Sequence, residues 1–503
     1  MKKGTHIQIH IDTVGFKGVG IGVLTQELNP ELDPGNSDPT QGGLLPEELG
    51  KKVLVQNTLP GETVIAEVKR NKKSYIEAEK VSTVTKSPLE IDPKCPHFTV
   101  CGGCKWQNLS YIEQLRIKET HVKESFERLG GFDTALIDSV MKPIIGFKTD
   151  NPDGQWNYRN KVELSFGWDK DMKQTYGFHV GGRRYDIFDL KECHLMSPRM
   201  FEIAQAIGSF VQKHQLEPFK FKENQGLLRS VIIREGTRTG ETLVDLLCSG
   251  EEFTHNLQDN FVSSLQAVGV NSVYLTHIVT KRGQKTTRTD ILLDGGTTIR
   301  EHMFIGNEQY AFNISPSSFF QPNTLQAEKL YEEAIRGLQL TPEDTVLDLF
   351  CGTGTIGIIM SKIASHVIGI ELNPDAIEDA KKNAVLNQLE LIKNSEGTGN
   401  IQFLVGDVGK VLESLEKEGR LVELQGKKVV VDPPRSGLTP QMIEYILELK
   451  PTHISYVSCN PTTQARDIAL LCNGGYIITG IQPVDMFPHT YHIENIVGLT
   501  HIE

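Results

Sequence analysis

The spacing of hydrophobic and polar positions changes three times along the chain. From His6 to about Val84 apolar and polar residues alternate, as in "HIQIHID" and "KKVLVQNTLPGETVIAEVKRNKKSYIEAEKVSTV". That alternation predicts four or five short strands joined by turns. Between them "ELNPELDPGNSDPTQGGLLPEELG" is rich in proline, glycine and aspartate and reads as a long insertion. "IEQLRIKETHVKESFERL", residues 112–129, has helical spacing and stops at Gly130-Gly131. A mixed stretch follows to about Ser315, with strands such as "KVELSFGW" and "SVIIRE", and a helix begins near Asn323. After Pro342 strands and helices alternate regularly: "TVLDLF", "HVIGIE", "IQFLVGD", "KVVVDPP" and "HISYVSCN" are strands with helices between them, and two more strands close the chain. Buried β-branched strands separated by helices predict an α/β domain with a mostly parallel, doubly wound sheet.

A length of 503 residues suits about three domains. No apolar run reaches the roughly 18 residues of a membrane helix, and the start shows no signal peptide, so a cytoplasmic protein with no membrane partner is expected. The net charge of -12 argues at first sight against a nucleic-acid partner. It is unevenly spread, however. Thr341–Glu503 holds 12 basic and 21 acidic residues, whereas Lys105–Arg234 holds 20 basic and 17 acidic ones, so a local basic surface keeps nucleic acid open. Lys69–Lys73 with Tyr75 fits either an oligonucleotide-binding barrel or a solvated basic hairpin. Eight cysteines make no disulfide framework. Cys95, Cys101 and Cys104 cluster, while Cys193, Cys248, Cys351, Cys459 and Cys472 stand singly.

The chemistry concentrates at strand ends. "VLDLF" runs into Cys351-Gly352-Thr353-Gly354-Thr355-Ile356-Gly357, a turn where glycines let a ligand approach the backbone. Glu371 closes the next strand, where an acidic side chain can accept ribose hydroxyls, and Asp407 follows the third strand. With these acidic residues the turn suits a nucleoside cofactor; no phosphate-binding lysine follows it, and it resembles the glycine turn of S-adenosylmethionine methyltransferases more than that of a dinucleotide fold. The fourth strand ends in Asp432-Pro433-Pro434-Arg435, a loop stiffened by two prolines. At the end of the fifth strand Cys459 precedes a helix whose N-terminus favours the thiolate, although a lone cysteine is often inert. In "DMFPHTYHIEN", His489, His492 and Glu494 are close in sequence; Glu494, in an apolar strand, reads as a burial-tuned base or as half of an ion pair. "CPHFTVCGGC" with distant Cys193 offers four thiols, a set that an iron–sulfur cubane or a zinc ion accepts.

Taken together, these motifs resemble the RNA uracil-C5 methyltransferases that carry an iron–sulfur cluster, over nearly the full length of the chain. "CxxxxxCGGC", "SPSSFFQPN", "LDLFCGTGTIG", "DPPR", "SCNP" and "FPHTYHIEN" occur in that family's order. The resemblance implies a TRAM-like OB barrel over 1–87, a central α+β iron–sulfur and RNA-binding domain over 88–110 and 132–316, and a Rossmann-like S-adenosylmethionine-dependent methyltransferase domain over 111–131 and 317–503. It implies Cys459 as nucleophile and Glu494 as the base that removes a proton. It places Gln321, Phe350, Gly352, Gly354, Thr355, Glu371, Asp407 and Asp432 around S-adenosylmethionine, Phe319 on the target base, and Cys95, Cys101, Cys104 and Cys193 around a [4Fe–4S] cluster, with zinc as the alternative. The implied substrate is a uridine of RNA, ribosomal RNA ahead of tRNA, and the implied state a monomer. Two further readings stay open. An amino methyltransferase would use the Asp-Pro-Pro loop and need no cysteine, and an RNA-binding scaffold would have lost the chemistry altogether.

Overall fold

A computed structural model describes residues 1–24, 50–147, 154–249, 253–280, 283, 286–392, 399–419, 424 and 427–502. Most of the insertion expected in the first segment falls outside them. The chain divides into two compact units, Met1–His121 with Phe487–His492, and Val122–Met486 with Ile493–Glu503.

In the first unit β1 (His6–His10), β2 (Thr13–Gly15), β3 (Val19–Val23), β4 (Lys52–Gln56), β5 (Thr63–Asn71) and β6 (Tyr75–Thr85) form one sheet in the order β1-β5-β6-β4-β3-β2. The sixth strand beyond the expected number is the three-residue β2, too short to carry a period. Alternation turns Ile7, Ile9, Val53, Val55, Val64, Val68 and Ile76 into one core. The sheet curls so tightly that a Cβ at Gly22 would lie 2.0 Å from the His10 carbonyl oxygen, which only glycine permits. A second cluster, Val14, Leu59, Trp106, Leu109 and Ile117, packs beside the start of α1 (Tyr111–Arg128). There buried Gln114 donates to the Trp106 and Leu109 carbonyls at 2.9 Å and accepts from the His489 N–H at 2.8 Å, tying Phe487–His492 to this unit. The helix matches its sequence expectation to within one residue.

The second unit opens with α2 (Thr134–Val140), followed by β7 (Lys161–Trp168), β8 (Gln174–Gly177), α3 (Pro198–Lys213), β9 (Leu228–Glu235), β10 (Thr242–Cys248), α4 (His255–Gln266), β11 (Ser272–Val279) and β12 (Thr287–Gly295). Their strands make a six-stranded sheet, β12-β11-β10-β9-β7-β8, antiparallel except for β10 and β11. Met200, Ile203, Ile207 and Phe210 of α3 pack with Phe261 and Leu265 of α4 in its core. The hairpin β13 (Ile299–Ile305) and β14 (Glu308–Ile314) then leads into α5 (Thr324–Arg336), capped by Asn323 as its sequence suggests.

The remaining elements are β15 (Thr345–Leu349), α6 (Thr355–Met360), β16 (His366–Glu371), α7 (Pro374–Leu386), β17 (Ile401–Val405), α8 (Val408–Lys417), β18 (Lys428–Val431), α9 (Pro440–Leu449), β19 (His453–Ser458), α10 (Pro461–Asn473), β20 (Tyr476–Val484) and β21 (Glu494–His501). They form a seven-stranded sheet in the order β17-β16-β15-β18-β19-β21-β20. The first five strands in this order are parallel, and β21 inserts antiparallel between β19 and β20. Val346, Leu347, Val429, Val430, Val431, Ile454 and Tyr456 are fully buried, as strands covered on both faces require.

Candidate active site

Parallel strands deliver their carboxyl ends to one edge of the sheet. Register pairs Leu349 with Val431 and Val431 with Tyr456, so the chain leaves β15, β18 and β19 side by side, towards Phe350, Asp432 and Cys459. After β15 the backbone turns sharply: Phe350, Gly352 and Gly354 have φ of 67, 54 and 75°. The Gly352 N–H donates to Glu371 Oε2 at 3.2 Å, and the Asn373 N–H to Oε1 at 2.9 Å, which fixes the carboxylate at the end of β16 beside the turn. A Cβ at Gly354 would meet Phe403 at 2.8 Å, whereas one at Gly352 would meet nothing within 4 Å. The turn is therefore packed on one side and open on the other, a cradle in which a nucleoside can reach the backbone. Thr355 begins α6 and is buried; Asp407 is exposed and caps α8, accepting from the Lys410 N–H at 3.1 Å.

Segment 315–321 is bolted beside this turn. Ser315 and Ser318 donate to Asp379 of α7, and buried Arg234 donates to the Pro316 and Ser318 carbonyls. Thr353 Oγ1 of the turn donates to the Phe319 carbonyl at 3.2 Å. Phe320 is buried, while the Phe319 ring is 64% exposed and free to meet a planar partner. Gln321 is buried and hydrogen-bonds the Tyr331 hydroxyl.

Cys459 and Glu494 are 35 positions apart in sequence, yet β19 and β21 pair Ser458 with Asn495. One further step of that antiparallel register sets Cys459 opposite Glu494, and Glu494 itself pairs with Val484 of β20. The register is locked one residue away. Buried Gln464 donates to the Tyr456 and Asn495 carbonyls at 2.8 and 3.1 Å, and Asn495 donates back to Gln464 at 2.7 Å. The Asp432–Arg435 loop is held in turn by Asn460, which donates to the Arg435 carbonyl at 2.9 Å, and by Asp467, which accepts from the Leu438 N–H at 2.7 Å.

Burial dominates the electrostatics. It raises the Cys459 thiol to about 11; Glu494 and Asp432 push the same way, and the Arg435 guanidinium, hydrogen-bonded to the thiol, opposes them. The expected lowering by the N-terminus of α10 is thus outweighed. Glu494 is lifted well above the usual carboxylate range by burial and by Asp432, against Arg435, and burial takes Asp432 to about 7. Two groups that the sequence did not single out join this site. Asp348 of β15 is raised by burial to about 7, with Asp432 and Glu371 adding to the shift. Tyr331 of α5 is raised by burial and by Asp432 and Glu494. Asp348 lies inside an apolar strand pattern and Tyr331 on a helix face, so only the fold brings them here. Arg435 was legible only as the end of a proline loop.

The other expected residues divide between the units. His489 and His492 belong to the first unit, while Glu494 begins a strand of the second. Cys95, Cys101 and Cys104 lie in the first unit and Cys193 in the second, all part-exposed. Cys101 and Cys104 line one cavity of about 220 Å³, and the Gly103 N–H donates to Cys101 Sγ at 3.4 Å. Among the described residues no three His, Cys, Asp or Glu side chains are gathered closely enough to hold a metal ion. No helix among them is long and apolar enough to cross a membrane.

A family model described as tRNA (uracil-5-)-methyltransferase matches residues 236–502. An uncharacterized RNA methyltransferase of Protochlamydia amoebophila is 37% identical over 461 residues, spanning 88% of this chain and 98% of its own. Another, of Caldanaerobacter subterraneus, is 32% identical over 511 residues and spans 99% of both chains. Among solved structures, the Pyrococcus abyssi tRNA (uracil-54, C5)-methyltransferase in complex with S-adenosyl-L-homocysteine superposes with a TM-score of 0.68 at 26% identity, covering 98% of this chain and 100% of that one.

Proposed function

The chain belongs to the tRNA (uracil-5-)-methyltransferase family, and from that premise we propose that it methylates C5 of one specific uridine in RNA, with Cys459 as nucleophile and Glu494 as base. The observation that carries this reading is the cross-strand placement of Cys459 against Glu494 at the sheet edge that also bears the glycine turn.

S-adenosylmethionine supplies the methyl group as an electrophile. It is held by Gln321, Phe350, Gly352, Gly354, Thr355, Glu371, Asp407 and Asp432; the open side of the Gly352 turn and the pinned Glu371 carboxylate support that placement. C5 of uracil is too weak a nucleophile to take a methyl group unaided. Cys459 Sγ, its proton lost to solvent, bonds to C6, and the C5–C6 π pair becomes an enolate whose C5 attacks the methyl carbon, breaking that carbon's bond to the sulfonium sulfur and releasing S-adenosyl-L-homocysteine. Glu494 then removes the C5 proton, the double bond re-forms, and the Sγ–C6 bond breaks to restore the thiol site. A carboxylate lifted by burial suits this step, because a base works best with a pKa near the working pH. Arg435 offsets part of the cost of the thiolate. Exposed Phe319 stacks on the uracil after it leaves its own stack.

The curled sheet of the first unit is read as a TRAM-like RNA-binding module. Cys95, Cys101, Cys104 and Cys193 are read as ligands of a [4Fe–4S] cluster, with zinc the alternative for the same thiols; no catalytic step runs through it. Iron and acid-labile sulfide in anaerobically purified protein test that reading, and zinc alone would replace it. The motif set leans towards ribosomal RNA, whereas the matching family and the Pyrococcus enzyme are named for tRNA, so the modified RNA has to be identified directly.

The test of the function is transfer of labelled methyl from S-adenosylmethionine to RNA, followed by nucleoside analysis. We expect 5-methyluridine with the wild type and none with Cys459→Ala. A methylated exocyclic amine, made equally well by Cys459→Ala, would establish the amino methyltransferase instead.

A further inference from the structure

Outside the reacting edge, the six-stranded sheet of the second unit carries an aromatic and cationic cleft. Two turns build it. One runs from His179 to Ile187, which bridge each other, and carries Arg184 and Tyr185. The other is closed by the Lys220 N–H on the Gln225 carbonyl at 2.6 Å and presents Phe221 and Lys222. The Tyr185 and Phe221 rings face one another, with centroids 6.2 Å apart and planes tilted by 43°. They are 52% and 55% exposed, although isolated rings of this size are ordinarily covered.

Cations surround the pair. Arg184 lies 5.7 Å and Lys222 5.9 Å from the Tyr185 ring, while Arg229 of β9 sits 4.0 Å from Phe219 and 5.4 Å from Phe221. Among the described residues Arg184, Lys222 and Arg229 make no ion pair with a carboxylate, so their charge remains uncompensated by a salt bridge. Tyr185, Phe221 and Arg229 line a cavity of about 320 Å³, a size that suits a small ligand. Its lining also includes Glu163, which accepts from Ser230 at 2.9 Å, and His179, hydrogen-bonded to Ser165 at 3.1 Å. Arg229 also donates from Nε to Ser249 Oγ, which holds its guanidinium in place. Aromatic faces, cations without a carboxylate partner and a polar lining match the three parts of a nucleotide: base, phosphate and base edge.

We propose that this cleft binds an unpaired nucleotide of the RNA substrate other than the one methylated, with its base against Tyr185 and Phe221 and its phosphate at Arg184, Lys222 and Arg229. The inference rests on the RNA methyltransferase reading and deepens it by adding a second RNA contact, on a sheet that carries neither Cys459 nor Glu494. Its contribution is affinity and choice of RNA, without a part in the chemistry.

The full-length protein and two variants, Tyr185→Ala/Phe221→Ala and Arg184→Glu/Lys222→Glu, are to be titrated with a short fluorescent oligouridylate and with an RNA duplex of equal length. Methyl transfer to total RNA is followed in parallel. The wild type should prefer the single strand. Each variant should bind it about ten-fold more weakly, roughly the loss of one stacked base or of its phosphate contacts. KM for RNA should rise while kcat at saturating RNA and S-adenosylmethionine affinity stay unchanged; a fall in S-adenosylmethionine affinity would mark a folding defect, and the other variant then decides. Equal binding by wild type and variants, no binding of the oligouridylate by the wild type, or equal binding of duplex and single strand would overturn the cleft while leaving the methylation reading intact. Absence of methyl transfer by the wild type, by contrast, strikes the methylation reading.

Discussion

The carboxyl edge of the seven-stranded sheet and the cysteine-rich loop before α1 treat sequence distance in opposite ways. Cys459 and Glu494 are far apart in the chain and meet across two antiparallel strands. Cys95, Cys101 and Cys104 lie within ten positions, yet no metal-ligand group is gathered among the described residues. A ladder sets each side chain by register, because a slip of one residue would turn Glu494 and every buried neighbour to the other face. A loop has no such constraint, and turns such as Cys101 N–H to the His97 carbonyl at 2.8 Å settle its backbone without a ladder to fix where each thiol points. A pre-built site suits chemistry that depends on sub-ångström placement. A loop of thiols suits a ligand that itself organises the loop, as metal binding commonly does.

The largest test of this contrast is Cys459→Ala. It should lower methyl transfer by at least about 10⁴-fold, the scale on which removing a covalent nucleophile acts, while calorimetry finds S-adenosylmethionine binding unchanged. Glu494→Gln comes next. It should slow turnover by about 10²–10⁴-fold, the usual worth of a positioned base, and leave methylated RNA attached to Cys459 on denaturing gels, because addition and transfer precede the proton removal. A variant that turned over normally would remove Glu494 from the mechanism.

A smaller effect is expected in the titration of the thiol. Alkylation of Cys459 by iodoacetamide, followed by peptide mass spectrometry, should rise with pH towards a midpoint near 11, above the usual thiol value, because burial and Glu494 favour the neutral form. Asp432→Asn and Glu494→Gln remove negative neighbours and should shift the midpoint down; Arg435→Ala should shift it up. The smallest effect on the sheet edge should come from the loop. Cys101→Ser is expected to lower soluble yield or RNA affinity while S-adenosylmethionine affinity stays within about two-fold, a change of roughly 0.4 kcal/mol. Loss of cofactor binding in this variant would show that the two regions are coupled.

Much of the edge was legible in the sequence for a physical reason. A glycine turn after a buried strand, an acidic residue ending the next strand and a proline-stiffened loop are local signals, and the parallel fold sends all of them to one edge. The antiparallel insertion of β21 was not legible, since two apolar strands at the end of a chain can pair in either order. Asp348 and Tyr331 were hidden as well, because a strand or helix pattern does not tell which polar group a neighbour will desolvate. The assignment of His489 and Glu494 to different units also escaped the sequence. They are five positions apart, but Gln114 of α1 claims the first and the sheet the second. The Tyr185–Phe221 cleft was invisible for a similar reason, since its two rings come from turns far apart in the chain.

The most direct test of the central claim is incubation of the protein with S-adenosylmethionine and RNA carrying 5-fluorouridine, followed by mass spectrometry of the protein. Fluorine cannot leave as a cation, so Glu494 has no proton to remove and the methylated adduct cannot be released. The account predicts a covalent, methylated nucleotide on the Cys459 peptide, and the attached RNA fragment identifies the substrate. Efficient methylation of ordinary RNA with no adduct on Cys459 would contradict it.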